Sequence, residues 1–524
     1  MIDQLYYYTD PDRAELWWEK PEGAGCGTHY QISLDGMTAG ETDRTHYTIE
    51  NLEVGREYTA QVSVLAADRD SSAVQSAGHF SPDGTGAAAS AELAIQKSAI
   101  QKSASVTFTT PLPRKRIDVT AAPYFAKGDG RTMNTAILQR AFDDCPAGGA
   151  VYLPSGTYLT GALRLHSDME LYLEERAVLQ GTADPADYLP RIKSRFEGTE
   201  MECYQSLLNL GELDHTSGCN CTNVTIRGKG TIRGGGAALA KATIRSERER
   251  LKEYLAANAD DVAACENDNT IPGRVRGRLI NMSNCSRIRI SGLTLADGAS
   301  WNLHMVYSDH IITDHCYFSS KGTWNGDGWD PDSSEYCTLF SSVFHTEDDS
   351  VAIKSGKNPE GNKISRPTRH IRIFDCYSAF GHGLCIGSEM SGGVEDVKIW
   401  DCDLEHSMVG IQVKATRKRG GYVRGLMVQD CIVPCLQAVS VGYNDDGVPA
   451  SEPPYFEDFT YERVTVTGRS LLEDWSDCRA IEFIGFDEAH PIRHIRFQDV
   501  KITGGLGVNT TLCEDVRFEN SLPA

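Results

Sequence analysis

Apolar positions along the chain follow two different rhythms. Up to about residue 110 they alternate with polar ones over short runs: Ala14-Glu-Leu-Trp-Trp18, His29-Tyr-Gln-Ile-Ser-Leu34 and Tyr58-Thr-Ala-Gln-Val-Ser-Val-Leu65. Turn signals such as Pro21-Glu-Gly23 and Asp35-Gly36 separate them, so the pattern predicts half-buried strands of a small β-sandwich over 1–112. A stretch rich in Ala and Ser, Gly84 to Ser105, reads as a loop before a last strand at Ser105–Thr109. From Ile117 the rhythm changes. Asn134–Phe142 has the apolar spacing of a short helix, and Ala150–Leu153, Gly156–Gly161 and Met169–Leu173 read as short strands.

Beyond Asn223 one unit keeps returning, a short β-branched strand, a turn and another strand. It starts at Val224-Thr-Ile226, Ile288-Arg-Ile290, His310-Ile-Ile312, His370-Ile-Arg-Ile373, Val397-Lys-Ile-Trp400 and Leu426-Met-Val428, and then at Phe459, His494 and Val516. From Ile288 on, the spacing is roughly 21 to 36 residues, the range of a solenoid. One such coil cannot bury its apolar face alone, so neighbours must stack. The prediction is an all-β chain, a parallel β-helix over 113–524 behind the sandwich. Ala237–Asn267 breaks the period, carries the helical run Ser246–Tyr254, and is expected to be an inserted loop near one end of a cleft.

Composition narrows the chemistry. A net charge of −22 over 524 residues argues against a nucleic-acid partner, which wants a basic footprint. It also means that an acidic substrate must be met by locally placed cations. The first residues, Met-Ile-Asp-Gln-Leu-Tyr-Tyr-Tyr, hold neither a basic region nor an apolar run. The expectation is no secretory signal, no membrane partner and a cytoplasmic location. The 16 cysteines follow no metal-ligand spacing. Asp-Cys recurs after the strand at Asp375-Cys376, Asp401-Cys402 and Asp430-Cys431, which suits stacked inward thiols better than disulfides.

The candidate chemistry lies between Trp324 and Gly393. Asn325-Gly-Asp327, Asp348-Asp349 and Gly381-His382-Gly383 follow one another there. A single acidic pair is usually a solvated turn. Three carboxylates with a glycine-flanked histidine supply what a glycosidase needs, an acid for the leaving oxygen and a base for water. An oxygen-rich cluster can also hold calcium, but Asp327, Asp348 and Asp349 lack the one-loop spacing of a calcium hand. Asp330 and Asp332, flanking Pro331, read as turn and cap residues. The adjacent pair poses a geometric problem, because neighbours on a strand face opposite ways. A bulge or a strand end must bring both to a cleft.

These motifs resemble the polygalacturonases, pectin-cleaving glycoside hydrolases of family 28. That family's order of Asn-x-Asp, Asp-Asp, Gly-His-Gly and Arg-x-Lys falls here on Asn325-Gly-Asp327, Asp348-Asp349, Gly381-His-Gly383 and Gln412-Val-Lys414. The resemblance implies a right-handed parallel β-helix and single-displacement hydrolysis with inversion, with no metal and no cofactor. Asp348 would be the general acid, and Asp327 and Asp349 would hold and activate the water. His382 would orient the acid or a sugar hydroxyl, Lys414 would pair with a substrate carboxylate, and Asn325 would neighbour the water. Gly387–Gly393 and Lys418–Gly421 resemble the bacterial exo-acting members. There are two departures: Ser350 stands where cysteine is common, and Gln412 replaces an arginine that contacts an acidic sugar. Glutamine cannot form arginine's charged bidentate contact, so Arg417, Lys418 and Arg419 are candidates to compensate.

The run Tyr47–Tyr58 resembles the fibronectin type III signature, with Leu52 and Tyr58 at a strand corner and Trp17 or Trp18 in the core. The expected activity is exo-acting cleavage of galacturonate-containing pectic chains. A hydrolase of rhamnogalacturonan or substituted galacturonan is the alternative suggested by Gln412. A silent glycan-binding β-helix is a third reading, which the intact carboxylates oppose.

Overall fold

The computed structural model describes residues 2–25, 27–65, 102–263, 265, 267–443, 445–471 and 476–521. It divides into two compact units, Met1–Pro113 and Arg114–Ala524. Most of the Ala/Ser-rich stretch, through Gln101, lies outside the described residues. Among the described residues no helix is long and apolar enough to cross a membrane.

Among its described residues the first unit has seven strands in two antiparallel sheets. Leu5–Asp10, Arg13–Trp18 and His46–Ile49 form one. Tyr30–Leu34, Met37–Thr42, Glu57–Val64 and Lys102–Thr109 form the other. Alternation does the work here: Tyr58, Ala60 and Val62 turn inward while Glu57, Thr59 and Gln61 face water. Of the two tryptophans, Trp18 is fully buried and packs edge-on against Tyr30 at 5.1 Å. Leu52 and Tyr58 join the same core, and the Glu53 amide donates to the Tyr58 hydroxyl at 2.8 Å.

The second unit is a right-handed parallel β-helix with three long sheets. Thirteen strands run from Arg116–Asp118 to Cys513–Glu519, eleven from Leu163–Leu165 to Val508–Thr511, and eight from Asp129–Met133 to Tyr377–Phe380. A coil such as Glu335–Phe340, Val343–His345, Val351–Ile353 gives one strand to each. That coil fills the long interval between His310 and His370, where the repeat is hidden in the sequence because Cys337 replaces the β-branched residue.

Register makes the core. Ile311, Cys337, Ile371, Val397, Leu426, Phe459 and Ile495 pair in turn along the 13-stranded sheet, all buried. Adjacent coils are separated by the parallel-strand spacing of about 4.8 Å, so like residues stack on like. The rings of Phe340, Phe374 and Trp400 stack nearly parallel at 4.9 and 4.5 Å. Cys316, Cys376, Cys402 and Cys431 are buried free thiols in the turn after the strand. The preceding residue, Asp375, Asp401 or Asp430, is left-handed with φ of 50–54°. The residues at the head of each long strand, His310, Tyr336, His370 and Asp396, are left-handed too, with φ of 52–57°. Histidine and aspartate tolerate that region better than β-branched residues do, which accounts for the histidines that open several repeats.

The expected helix is present as Thr135–Asp143, and the insertion folds as helices at Gly236–Arg250, Lys252–Ala257, Ala259–Ala263 and Thr270–Gly273. Replacing Phe374 with alanine should remove a ring from a stack that cannot collapse, because the coils on either side fix its spacing. We expect a loss of about 3–5 kcal/mol in urea unfolding, as for other buried aromatic truncations. A change under about 1 kcal/mol would show that the stack does not hold the coils.

Candidate active site

The acidic motifs sit in the turns that lead into successive strands of the 11-stranded sheet. Asp327 precedes Trp329–Asp332, Asp348 and Asp349 precede Val351–Ile353, and His382 precedes Gly383–Ile386. Backbone hydrogen bonds stack these turns coil on coil. Gly328 N donates to Asp349 O at 2.9 Å, and His382 N donates to Asp348 O at 3.0 Å. A turn resolves the problem of the adjacent pair: the Asp349 amide donates to Asp348 Oδ1 at 3.0 Å, and both carboxylates line one cavity. The glycines flanking His382 are required by this stacking. A Cβ on Gly381 (φ +129°) would lie 2.4 Å from Thr346 Oγ1, and one on Gly383 (φ +115°) would lie 2.3 Å from Gly410 O.

The cavity holds about 520 Å³, the size of a small-ligand site. Asn325, Asp327, Asp348, Asp349, His382 and Lys414 all line it, so six residues expected from sequence converge. Gln412 and Arg417 do not line it. Gln412 lies two residues before Lys414 on the same strand, but its amide donates to Gln437 Oε1 on the next coil at 2.7 Å. Arg417 is turned to Asp487 at 2.6 Å and to the Phe486 carbonyl. Lys418 pairs with Asp445 at 3.3 Å, and buried Arg419 donates to Ser388 O at 3.0 Å and Asn358 Oδ1 at 2.6 Å. None of these three cations lines the cavity.

Asn325 is held from below. The Arg276 guanidinium donates to Asn325 Oδ1 at 2.6 Å and to Trp324 O at 2.8 Å, and lies 4.3 Å from the centre of the Trp324 ring. Arg276 was not visible in the sequence because it precedes the motif by a coil and more.

Two lysines set the electrostatics. Lys414 Nζ meets both oxygens of Asp349 at 3.1 and 2.9 Å. Lys354 Nζ, two coils earlier in the same sheet, lies 3.2 Å from Asp327 Oδ2, 3.7 Å from Glu389 Oε2 and 4.6 Å above the Trp301 ring. His382 Nδ1 bridges Asp348 at 2.8 Å and Asp349 at 3.2 Å. Burial alone would raise every carboxyl here and lower every cation. Against burial, Lys414 and His382 hold the Asp349 carboxyl below its usual range, and the His382 hydrogen bond does the same for Asp348. The two carboxylates in turn lift the His382 imidazole to about 10, against its own burial. Two carboxyls are raised instead, Asp327 through burial and then Asp330, and Asp330 through burial. The proton next to Asp348 therefore rests on the imidazole.

Asp330 and Asp332 are not turn or cap residues. Both lie in the strand Trp329–Asp332 and are fully buried. Asp332 pairs with Arg195 at 3.0 Å and with His304 at 3.4 Å. Lys354 and Glu389, on the cavity wall, carry no motif spacing that would have singled them out. Asp348, Asp349 and His382 offer atoms within 4.8 Å of one another, close enough to hold an ion. The imidazolium and the Lys414 and Lys354 ammonium groups already supply the positive charge there, which disfavours a cation.

Part of the cavity wall comes from two segments outside the long sheets. Cys265, Thr270 and Arg274 belong to the insertion and its continuation, and Tyr443, Asp445 and Asp446 to a later loop. Arg274 joins them, with Asp446 at 3.0 Å and Glu197 at 2.8 Å, while Lys357 also pairs with Asp446.

The profile of glycosyl hydrolases family 28 matches residues 189–522. An exo-poly-alpha-D-galacturonosidase of Dickeya chrysanthemi is 28% identical, over 98% of this chain and 88% of its own length. A probable polygalacturonase of Vitis vinifera is 32% identical over 58% of each. Among solved structures, the family 28 exopolygalacturonase of Yersinia enterocolitica superposes with a TM-score of 0.78 at 20% identity, covering 99% of this chain and 98% of that one. A hyperthermoactive exopolygalacturonase of Thermotoga maritima gives 0.64 at 25% identity over 78% and 92%.

A histidine raised from 6.5 to about 10 stabilises the fold fully below pH 6.5, and that contribution is lost as pH rises through about 10. The melting-temperature gap between wild type and His382→Gln should therefore be constant below pH 6.5 and narrow towards pH 10. A gap independent of pH would mean that the imidazole is neutral.

Proposed function

The chain belongs to glycosyl hydrolases family 28, and on that premise we propose that it hydrolyses galacturonate-containing pectic chains from one end, by single displacement with inversion. The observation that carries this reading is the stack of Asp327, Asp348–Asp349 and His382 on consecutive turns, with Lys354 and Lys414 beneath them.

Asp348 is the general acid. Its proton comes from His382 Nδ1, 2.8 Å away, and passes to the glycosidic oxygen as that bond breaks. The Asp348–His382 couple holds one proton over a wide pH range, so the donor is ready without an isolated neutral carboxyl. Asp349, kept ionised by Lys414, and Asp327, beside Lys354, hold the water on the opposite face of the sugar. One of them takes its proton as the new C–O bond forms. Asp348 and Asp349 offer oxygens within 4.8 Å of each other, closer than the roughly 6.5–9.5 Å between acid and base usual for inversion. Asn325, fixed by Arg276, hydrogen-bonds the water or the sugar beside it.

Exo action follows from the wall. Arg274–Asp446–Lys357 ties the insertion to the later loop, so a chain enters the cavity but does not run through it. The Dickeya and Yersinia relatives are named as exo-acting enzymes, in agreement with this closure. Gln412, turned to Gln437 and off the cavity lining, puts no cation in place of the family arginine, so a sugar without a free carboxylate there gives up no charged contact. Substituted galacturonans are therefore the second substrate class to test. We read the first unit as a fibronectin type III-like module serving as a spacer or docking element. The Tyr58 corner and the three-plus-four strand arrangement support that reading.

On polygalacturonate, wild type should release short products from the start while viscosity falls slowly. Asp348→Asn should lower kcat by about a thousandfold or more, which combines loss of the acid with loss of the His382 couple. The first product followed by NMR should carry the anomeric configuration opposite to that of the bond cleaved. Retention would exclude single displacement. Asp446→Ala, which unties the wall, should lengthen the earliest products; an unchanged profile would place the chain stop elsewhere.

A further inference from the structure

A galacturonate chain is a polyanion, yet among the described residues every lysine or arginine on the cavity wall already has a carboxylate partner. Arg274 pairs with Glu197 and Asp446, Lys354 with Asp327 and Glu389, and Lys414 with Asp349. Arg417 and Lys418, off the lining, pair with Asp487 and Asp445. A substrate carboxylate taken by any of these cations would leave a protein carboxylate unpaired, which is costly where the group is buried.

Lys321 is placed differently. The acids of the site are carried by turns that join the eight-stranded sheet to the eleven-stranded one. In the four turns at 297–302, 320–328, 346–350 and 381–382, Lys321 is the only lysine or arginine. It is exposed, and the next residue, Gly322, lines the cavity. Its ammonium lies 4.1 Å from the centre of the Phe380 ring. Phe380 ends the strand two coils on, directly before Gly381 and His382. Among the described residues no carboxylate pairs with Lys321. The turn itself is fixed: Thr323 N donates to Ser320 O at 3.0 Å, and Gly322 N donates to Glu347 Oε2 on the next coil at 2.7 Å. A ring face aims an ammonium group without neutralising it, so the charge and the outward donors remain available to a ligand.

We propose that Lys321 is a substrate-binding residue that takes the carboxylate of a galacturonate at the mouth of the cavity. It supplies the charged contact that Gln412 does not. An ammonium is a compact point charge on a flexible stem, so it can meet a carboxylate without the fixed bidentate geometry of arginine. The outer sugar is then held by charge while the ion pairs of the wall stay intact. The inference rests on the reading of the substrate as a galacturonate chain.

Binding is tested in the Asp348→Asn enzyme, by calorimetry with trigalacturonate and with its trimethyl ester. Adding Lys321→Ala should weaken trigalacturonate about tenfold at low salt, the scale of one charge-assisted contact. The gap should close towards about 1 M salt, where the charge is screened. Lys321→Arg should restore affinity to within about threefold, and the ester should bind all three proteins equally. In the otherwise wild-type enzyme, Lys321→Ala should raise KM about tenfold and leave kcat within about twofold, as for a contact made equally before and during reaction. Unchanged affinity of Lys321→Ala for trigalacturonate would overturn the proposal. So would an equal loss for the ester, which would make the role one of shape and not of charge. If wild type cleaves no pectic substrate, the functional reading fails, while the binding series still decides the role of Lys321. Absence of any trigalacturonate binding overturns both.

Discussion

Everything in this site depends on two ammonium groups buried in one β-sheet. Asp327, Asp348 and Asp349 line one cavity and Asp330 is buried near them, and four uncompensated charges there could not survive folding. Lys354 and Lys414 project from the same sheet, two coils apart, and each takes one of these carboxylates. They also divide the set in two. Asp349 is locked as an anion by Lys414 and His382, while burial and the neighbouring Asp330 raise the Asp327 carboxyl. The pattern is one in which neighbouring titratable groups are pushed apart in proton affinity, the condition for acid and base to coexist at one pH.

The β-helix makes that arrangement reproducible. Each sheet advances by one coil with fixed register, so a residue at a given position in one turn stands over the same position in the next. Asp327, Asp349 and Gly383 are brought together by backbone bonds between turns, and residues up to 65 apart in sequence become bonded neighbours. Buried side chains, from the Phe340–Phe374–Trp400 stack to the free thiols of Cys376, Cys402 and Cys431, hold the coil spacing. The insertion then adds what the repeat cannot: a wall at Arg274, tied to Asp446, that makes a pocket of a groove.

Much of this was legible in the chain. The β-branched strands announced a solenoid, and the order of Asp327, Asp348–Asp349, His382 and Lys414 announced a site on consecutive coils. What sequence could not supply was the partner set. Lys354, Glu389 and Arg276 have ordinary neighbours in sequence and acquire their roles only when coils stack. Asp330 looked like a turn residue beside Pro331, because a proline between two aspartates is a turn signal; the sheet accommodates it as Trp329–Asp332 and buries both acids. Gln412 and Arg417 lie off the cavity lining. Spacing placed them near Lys414, but Gln437 and Asp487 occupy them instead.

The most direct measurement is the crystal structure of Asp348→Asn with a short galacturonate oligomer bound. The substrate's terminal sugar should abut the wall at Arg274 and Asp446, with the scissile oxygen beside residue 348 and a water between Asp327 and Asp349 on the other face of the ring. A chain running past that wall, or a scissile bond away from the Asp327–Asp349–His382 cluster, would contradict both the exo reading and the assigned roles.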